Sequence, residues 1–427
     1  MVNLKAIAPD RLSAPAKLFL SGGALNGIGN GIFNVVGQLY FTSLGFTSSS
    51  LANVFMMNAV GAAILTIPMG ILADHYGKKK IMLVSLASVV LSLTIILATK
   101  SVLALMIGFF VIGASNAAGV IMNPIYTSFF EKDDLDKAFG LWGSLNIVTM
   151  SLGSLLGFIP PFLVKNYGLS IQTAYWIFLA LGSLFFVAQY VFYLPSIREM
   201  SETPKEEGFS FTLSSKGFVL KFSIIAVMSA VSFGVFFSLF PYYVNKKFGI
   251  QSDALGSLFF LSNFVAAGAQ AVSPRISKKL GVLNTMVLSI GLATPFYLLV
   301  PLVSSFSWLS ALYIARVGLR TLAEPLFSST FMKHLQEDEK STANSIRMMS
   351  MQGGSALGPW LGGQLMERTS LDVPAYIGGG LYAVLAALTL FLLRDAKEMI
   401  ALKPLQVVEA GPGTPIKGHP KPTPLRD

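Results

Sequence analysis

The sequence predicts an all-α membrane protein in which twelve transmembrane helices form two pseudo-symmetric six-helix bundles. Three observations predict this fold class: apolar runs of about 20 residues recur along the chain, only 12% of its 427 residues are charged, and its two halves resemble each other. Soluble domains usually contain about 25% charged residues, so a soluble enzyme and a disordered protein are excluded. Helices are the expected spanning element, because unpaired backbone groups in lipid cost several kcal/mol. The chain has no cysteine, which excludes disulfide and thiolate chemistry.

The apolar runs define the spans and divide the chain into four segments. The predicted spans are 16–42, 50–72, 81–99, 102–128, 138–164, 172–194, 218–244, 254–273, 283–303, 307–332, 342–366 and 374–394. An N-terminal bundle (1–194) and a C-terminal bundle (218–394) are joined by a polar cytoplasmic loop at 195–217. The tail (395–427) is rich in Pro and Gly, a composition typical of disorder.

Basic residues are distributed unequally between the two sides of the predicted bundle. The loops after spans 2, 4, 6, 8 and 10 contain most of the loop Lys and Arg, whereas the opposite loops hold Lys100, Lys165, Lys246, Lys247 and Arg368. Cytoplasmic loops are enriched in Lys and Arg, so the richer side and both termini are predicted to be cytoplasmic. This distribution explains the net charge of +10 without a nucleic-acid partner.

The two halves of the sequence align with each other at a separation of about 200 residues. The aligned segments are PIYTS from Pro124 with PLFSS from Pro325, and GSLLG from Gly153 with GSALG from Gly354. Two glycine pairs repeat in the same way: Gly45 with Gly249, and Gly77 with Gly281. Repeated halves of this kind place a binding site at their interface near the bilayer midplane.

A short motif occupies the predicted cytoplasmic loop after span 2, where residues 70–80 read GILADHYGKKK. Gly70 and Gly77 permit close helix packing and a tight turn, and Lys78 suits a cytoplasmic loop. Asp74 can accept hydrogen bonds from the exposed N–H groups at the start of a facing helix, where the helix dipole favours an anion. The motif therefore predicts a contact between the ends of two helices.

Together with the twelve spans, the repeat and the polar central loop, this motif resembles the signature of the major facilitator superfamily, G-x-x-x-D-R-x-G-R-K. The resemblance covers about residues 16 to 394. It implies a secondary transporter, not an enzyme, that moves a small-molecule solute across the lipid bilayer by alternating access, with no cofactor or metal. It also implies a monomer in the cytoplasmic (inner) membrane of a prokaryote. Asp74 would contact the start of span 11 near Ser341 or Thr342. His75 replaces the family's usual Arg, so this part of the gate is neutral or pH-sensitive.

Span 11 contains a glycine pattern that bears on the type of transporter. Gly354, Gly358, Pro359 and Gly362 belong to the run GSALGPWLGG, in which small residues allow close helix packing. The run is similar to a pattern that antiporter-type members of the superfamily show in span 5. With the loop motif, it implies a drug-efflux-like branch and protons as the coupling ion, although span 4 lacks the R-x-x-Q-G pattern of many proton-coupled members.

Span 1 carries four amide side chains at intervals of four residues, namely Asn26, Asn30, Asn34 and Gln38. This spacing keeps them on one slowly rotating helix face. Amides without partners are costly in lipid, so they are expected to face protein or water. Two interpretations follow: contact with the solute in a cavity, or hydrogen bonding between helices.

Charged residues deep in the predicted spans form a second candidate site. Arg316, Arg320 and Glu324 are spaced four apart on span 10, so they share a face, and Arg320 can pair with Glu324. Arg347 lies near the cytoplasmic end of span 11, where it is expected to snorkel or to serve the gate. Each charge costs about 2.5–3.5 kcal/mol on insertion scales, so the group predicts either a structural salt-bridge network or a cationic pocket in which Glu324 exchanges protons.

The sequence therefore predicts secondary active transport of a small organic solute, with proton-coupled export placed ahead of uptake. The first alternative is uptake of an organic anion or a sugar-type solute. The second is a non-transporting membrane sensor or a lipid flippase, because a fold does not determine a function.

Overall fold

The computed structural model of the protein describes residues 12–131, 134–197, 214–335 and 339–394. Within these ranges the regular elements are fifteen α-helices and short 3-10 segments, which confirms the predicted all-α class. The predicted tail (395–427) and most of the predicted central loop (195–217) lie outside the described residues.

The first half contains eight α-helices in the residues that the structure describes. They are α1 (Ala14–Ser43), α2 (Ser48–Tyr76), α3 (Lys78–Ala98), α4 (Val102–Ala117), α5 (Met122–Thr127), α6 (Leu135–Leu155), α7 (Ile159–Tyr167) and α8 (Ile171–Ser196). Short 3-10 segments connect α4 to α5 and α6 to α7, so each of these pairs forms one long rod.

The second half contains the remaining seven helices in the described part of the chain. They are α9 (Lys216–Phe237), α10 (Phe240–Phe248), α11 (Ser252–Leu280), α12 (Val282–Leu299), α13 (Phe306–Lys333), α14 (Lys340–Arg368) and α15 (Val373–Arg394). Only two residues separate α9 from α10, so these helices also form one rod. Each half therefore has six rods, and each rod covers one predicted span.

Eight of the rods in the described residues are long and apolar enough to cross a membrane by length and composition. The rods outside this set include α1, α13 and α14. These three helices carry the amide, Arg and Glu side chains that the sequence marks as candidates. The polar and charged side chains of these rods are therefore expected to face a cavity and not lipid.

Side-chain caps and glycines explain where several helices begin and end. The hydroxyl of Ser13 accepts a hydrogen bond from the backbone N–H of Ala16, and that of Thr47 accepts one from Ser50, both at 3.3 Å. Such caps satisfy N–H groups that have no partner within the helix. Gly77, with φ of +92°, separates α2 from α3, and Gly281, with φ of +82°, separates α11 from α12. A positive φ favours glycine, so the repeat noted in the sequence is also a repeat of backbone conformation.

Glycines also allow the closest helix crossings in both halves. A side chain at Gly153 of α6 would collide with the backbone of Ile28 in α1, and one at Gly362 of α14 would collide with the backbone of Val235 in α9. The other residues of the span 11 pattern that lie against α9 are Gly354, Gly358 and Pro359. The α1–α6 and α9–α14 crossings are equivalent in the repeat.

The two halves contact each other at the end of the bundle that lies away from the predicted cytoplasmic loops. The Ser48 hydroxyl, at the start of α2, donates a hydrogen bond to the carbonyl of Gly363 in α14 (3.0 Å). The Gln38 amide of α1 donates to the carbonyl of Ser238, just after α9 (2.6 Å). In the predicted orientation these contacts close the outer side of the molecule.

Candidate functional site

A cavity of about 560 Å³ lies among the helices of the first half. Its lining includes eight amide side chains: Asn26, Asn30, Asn34, Gln38, Asn58, Asn116, Asn146 and Gln189. Aromatic rings complete much of the wall, among them Phe33, Phe109, Trp142 and Phe186. The residues that line this cavity carry no formal charge, so it offers hydrogen-bonding groups and flat apolar surfaces.

The amides of α1 divide into fixed and available groups. The Asn26 side-chain N–H donates to the Gln189 side-chain oxygen of α8 (2.8 Å), and the Asn30 amide donates to the side-chain oxygen (2.8 Å) and the backbone carbonyl (2.9 Å) of Asn26. Among the described residues, the Asn34 amide makes one hydrogen bond, a long one of 3.9 Å to the sulfur of Met150. Asn30 and Asn34 are both exposed within this wall. Asn26 thus fits interhelical bonding, whereas Asn30 and Asn34 present polar atoms to the cavity.

The fourth amide of this face, Gln38, has a different role in this conformation. Its N–H donates to the Ser238 carbonyl (2.6 Å), and its oxygen accepts a hydrogen bond from the backbone N–H of Tyr242 (3.3 Å). Both partners belong to the second half of the chain. Gln38 therefore joins the two halves at the predicted outer edge of the cavity.

A second cavity, of about 450 Å³, lies in the second half between α9, α12, α13, α14 and α15. Arg320 and Glu324 of α13 and Arg347 of α14 line it, together with Phe222, Phe233, Phe327 and Tyr382. Arg347 thus lies in the cavity wall. The two halves of the molecule differ in chemistry: one cavity is neutral and rich in amides, and the other is charged.

Arg320 and Glu324 form a loose ion pair in this second cavity. The guanidinium nitrogen lies 3.8 Å from the carboxylate oxygen, and the side chains are 35% and 55% exposed. This distance is too long for a hydrogen bond, and within the described residues none is recorded from Arg320. The guanidinium also lies 4.9 Å from the centre of the Phe233 ring. Its donors are therefore available to a solute.

Arg316 is enclosed by aromatic rings behind the cavity wall. Its side chain is 1% exposed and donates a hydrogen bond to the Tyr297 hydroxyl (2.7 Å). The guanidinium carbon lies 3.5 Å from the centre of the Phe237 ring, as in a cation–π contact. Its Nε has no hydrogen-bond partner, and no acidic side chain within the described residues pairs with it. Arg316 is therefore a buried cation without a carboxylate.

Comparison with known proteins identifies the family. The sequence matches the profile of the Major Facilitator Superfamily over residues 19–344 and 222–420. The chain belongs to this superfamily. No curated protein is found to match the sequence.

Solved structures of superfamily transporters have the same fold. The nucleoside transporter NupG has a TM-score of 0.69 at 16% identity, over 89% of this chain and 99% of that one. A bacterial homologue of the human lysosomal transporter Spinster, in an inward-facing and occupied conformation, has a TM-score of 0.67 at 14% identity, over 89% and 96%. The human organic anion transporter MFSD10 (TETRAN) has a TM-score of 0.56 at 17% identity, over 88% and 99%. The predicted fold of two six-helix halves is therefore confirmed.

The superfamily motif lies at the end of α2 that faces away from the contacts between the halves. Gly70 is half-buried in the last turns of α2, Gly77 ends that helix, and Lys78 begins α3. The backbone of Asp74 belongs to α2, but its side chain lies outside the described part of the structure. The contact predicted between Asp74 and the start of α14 therefore stays a prediction.

A carboxylate at the opposite end of the same helix pair was not predicted from the sequence. Glu367, at the end of α14, accepts a hydrogen bond from the backbone N–H of Ser49 in α2 (3.0 Å). Hydrogen bonds from the side chains of Ser49 and Thr47 hold the pKa of this carboxyl below its ordinary value. The residue resembled a solvated loop acid in the sequence, because its partner lies in the other half of the chain.

Sequence reasoning also missed the amides that the other helices contribute to the first cavity. Asn58, Asn116, Asn146 and Gln189 come from α2, α4, α6 and α8. A single amide within an apolar span was the available signal, because such a group avoids lipid. The aromatic enclosure of Arg316 had no comparable signal in the sequence.

Proposed function

We propose that the protein moves a small organic solute across a membrane by alternating access, with the solute held between its two halves. The observation that supports this best is the pair of cavities, one in each half, whose linings include the amides of α1 and the charged residues of α13 and α14. Gln38 and Ser238 line the first cavity and also join the halves. Separation of these residues would therefore open the cavity toward the outer side.

The contacts between the halves support an inward-facing conformation for this structure. The hydrogen bonds from Ser48 and Gln38 cross between the halves at the predicted outer end. The similar Spinster homologue is also inward-facing, which agrees with this assignment. In an alternating-access cycle, these contacts would break as the predicted gate at Asp74 forms.

Proton coupling is assigned to Glu324 in this proposal. Glu324 is the one carboxylate that lines the charged cavity in the described residues, and its ion pair with Arg320 is long enough at 3.8 Å to exchange partners. A carboxylate that alternates between Arg320 and a proton can couple proton movement to solute movement. Proton-coupled export, as in the drug-efflux-like branch, remains the first direction to test.

The experiment is a flux measurement on the full chain reconstituted in liposomes. A thermal-shift screen against organic acids, sugars, nucleosides and lipophilic cations selects the solute, and its exchange is then followed with and without a pH gradient. Glu324→Gln should retain exchange of the solute but lose its acceleration by the gradient. Glu131→Gln, an exposed carboxylate outside both cavities, is the matched control. Full gradient-driven transport by Glu324→Gln would reject the coupling role, and no exchange of any solute would reject transport.

Uptake of an organic anion is the second candidate function. It is favoured by the excess of guanidinium groups around the second cavity, where Arg320 and Arg347 line the wall with Glu324 and Arg316 lies behind it. The similar human protein MFSD10 is an organic anion transporter. A pH gradient of known direction across the same liposomes separates the two functions. Uptake together with protons moves the solute in the direction of proton flow, whereas export in exchange for protons moves it in the opposite direction.

A further inference from the structure

We infer that the solute is an organic monoanion that binds in two parts. Its anionic group would bind Arg320 and Arg347 in the second cavity, and its uncharged ring, with hydrogen-bonding groups, would bind the amides and aromatic rings of the first. This inference rests on the proposed transport function. It adds the chemical class of the solute and states which part of the solute each half binds.

The charges around the second cavity require an anion for balance. Pairing of Arg320 with Glu324 leaves Arg347 in the wall and Arg316 behind it, and neither contacts an acidic side chain in the described residues. A buried cation without a partner is costly in a membrane protein. A bound monoanion compensates one of these charges and releases Glu324 from Arg320. The charge of the cavity therefore favours a negatively charged ligand.

The donors that face this cavity suit a carboxylate or a similar flat anionic group. A guanidinium offers five N–H donors in a planar arrangement that matches a carboxylate through two parallel hydrogen bonds. Arg320 uses none of them in the described structure, and Arg347 donates to the Asn344 side-chain oxygen (3.1 Å) and to the sulfur of Met348 (3.8 Å), both on its own helix. The Arg347 Nε is also without a partner. Both residues thus have donors left for a ligand.

The first cavity suits the uncharged part of the same solute. Asn30 and Asn34 present amides to it, and Phe33 and Trp142 provide flat apolar surfaces beside them. The Asn30 N–H group already donates to Asn26, so its oxygen is the group left to accept, whereas the Asn34 amide can both donate and accept. These groups match a ring that carries carbonyl, amine or hydroxyl groups. The absence of formal charge from the lining disfavours the anionic group here.

The rod formed by α9 and α10 contributes a lining residue to each of the two cavities. Phe233 lines the charged cavity and contacts Arg320, whereas Ser238 lines the amide-rich cavity. At 1.5 Å per residue, these two positions are about 7.5 Å apart along the helix axis. A solute that lies along this part of the rod would contact the linings of both cavities.

The test compares an acid with its uncharged analogue on the purified full-length protein. The probes are p-aminohippurate, which joins a carboxylate to an aromatic amide, and p-aminohippuramide, which has the same shape without the charge. Calorimetry should give an affinity for the acid about tenfold or more above that for the amide. Arg320→Gln should remove this preference, and Arg320→Lys should restore part of it, because lysine retains the charge without the planar donors. The control Arg275→Gln removes an exposed charge outside both cavities and should change nothing.

A second variant tests the amide-rich cavity. The double variant Asn30→Ala with Asn34→Ala should lower the affinities for the acid and for the amide by similar factors. The preference for the acid over the amide should therefore remain. The inference would be overturned if the wild-type protein bound the acid no more tightly than the amide. It would also be overturned if Arg320→Gln kept the preference for the acid. Liposomes that exchange sugars or lipophilic cations but bind no acid would overturn it while leaving the transport function intact. Liposomes that exchange no solute would reject the transport function itself.

Discussion

The carboxylate of Glu367, at the end of α14, accepts a hydrogen bond of 3.0 Å from the backbone N–H of Ser49, in the first turn of α2. The two residues lie in different halves of the molecule, so this contact joins the halves at the predicted outer end. A helix N-terminus favours a negative charge because its first N–H groups have no partner within the helix. The contact predicted for Asp74 would place the other end of α2 against the start of α14. A single pair of helices would then have a carboxylate contact at each end, formed in alternate conformations.

The first prediction is that Glu367→Gln weakens closure of the outer side. A carboxylate at an exposed helix end contributes about 0.3–1 kcal/mol, so the ratio of closed to open molecules should fall by about two- to fivefold. The chain has no cysteine, so spin labels can be placed at Asn166→Cys and Trp308→Cys, two exposed positions at the outer ends of the two halves. The distance distribution should gain a longer component in Glu367→Gln. An unchanged distribution would show that this contact does not hold the halves together.

The second prediction concerns pH at the same contact. The pKa of Glu367 is lowered by its hydrogen bonds from Ser49 and Thr47, so the ionised carboxylate stabilises the closed outer side. Its contribution is complete above the ordinary pKa of a carboxyl group and is lost as the pH falls through the lowered value. The distance distribution between the two labels should therefore be constant from about pH 8 to about pH 6 and should lengthen only below about pH 4. In Glu367→Gln the acid-induced change should disappear.

The third prediction concerns the buried guanidinium of Arg316. Tyr297→Phe removes the hydroxyl that accepts its hydrogen bond at 2.7 Å, which leaves another buried donor without a partner. Loss of a hydrogen bond to a charged group should lower the free energy of unfolding by about 1.5–3 kcal/mol. The measurement is the fall in the midpoint temperature of thermal unfolding in detergent. In an Arg316→Met background, Tyr297→Phe should lower the free energy of unfolding by much less, because the buried guanidinium that donates to the hydroxyl is absent. Equal losses in both backgrounds would show that Tyr297 stabilises the fold independently of Arg316.

Much of the fold follows from the sequence, because apolar length and loop charge are local properties. Relations between the halves do not follow as easily. The spacing of four residues correctly puts Asn30 and Asn34 on one face with Gln38, but the partner of Gln38 is Ser238, about 200 residues away. Nothing in the pattern around Gln38 distinguishes an amide that joins the halves from one that faces the cavity.

The charged face of α13 shows a similar limit. Residues eight positions apart on a helix are rotated by about 80° from each other, so Arg316 and Glu324 share a face only loosely. In the structure Glu324 lines the cavity, whereas Arg316 is turned into the rings of Phe237 and Tyr297. Periodicity places the residues on the helix, and the neighbouring aromatic side chains decide which of them are buried.

The last prediction tests the helix packing assigned to the glycines of span 11. A methyl group at Gly362 would collide with the backbone of Val235 in α9, whereas one at Gly353 would meet nothing within 4 Å. Gly362→Ala should therefore force α9 and α14 apart at a cost of about 1–3 kcal/mol, as in an overpacked core. Gly353→Ala on the same helix is the matched control and should be neutral or stabilising by up to about 1 kcal/mol, because alanine favours a helix more than glycine does. Thermal unfolding in detergent measures both. If Gly362→Ala unfolds at the wild-type temperature, close contact between these two helices is not needed for the stability of the second half.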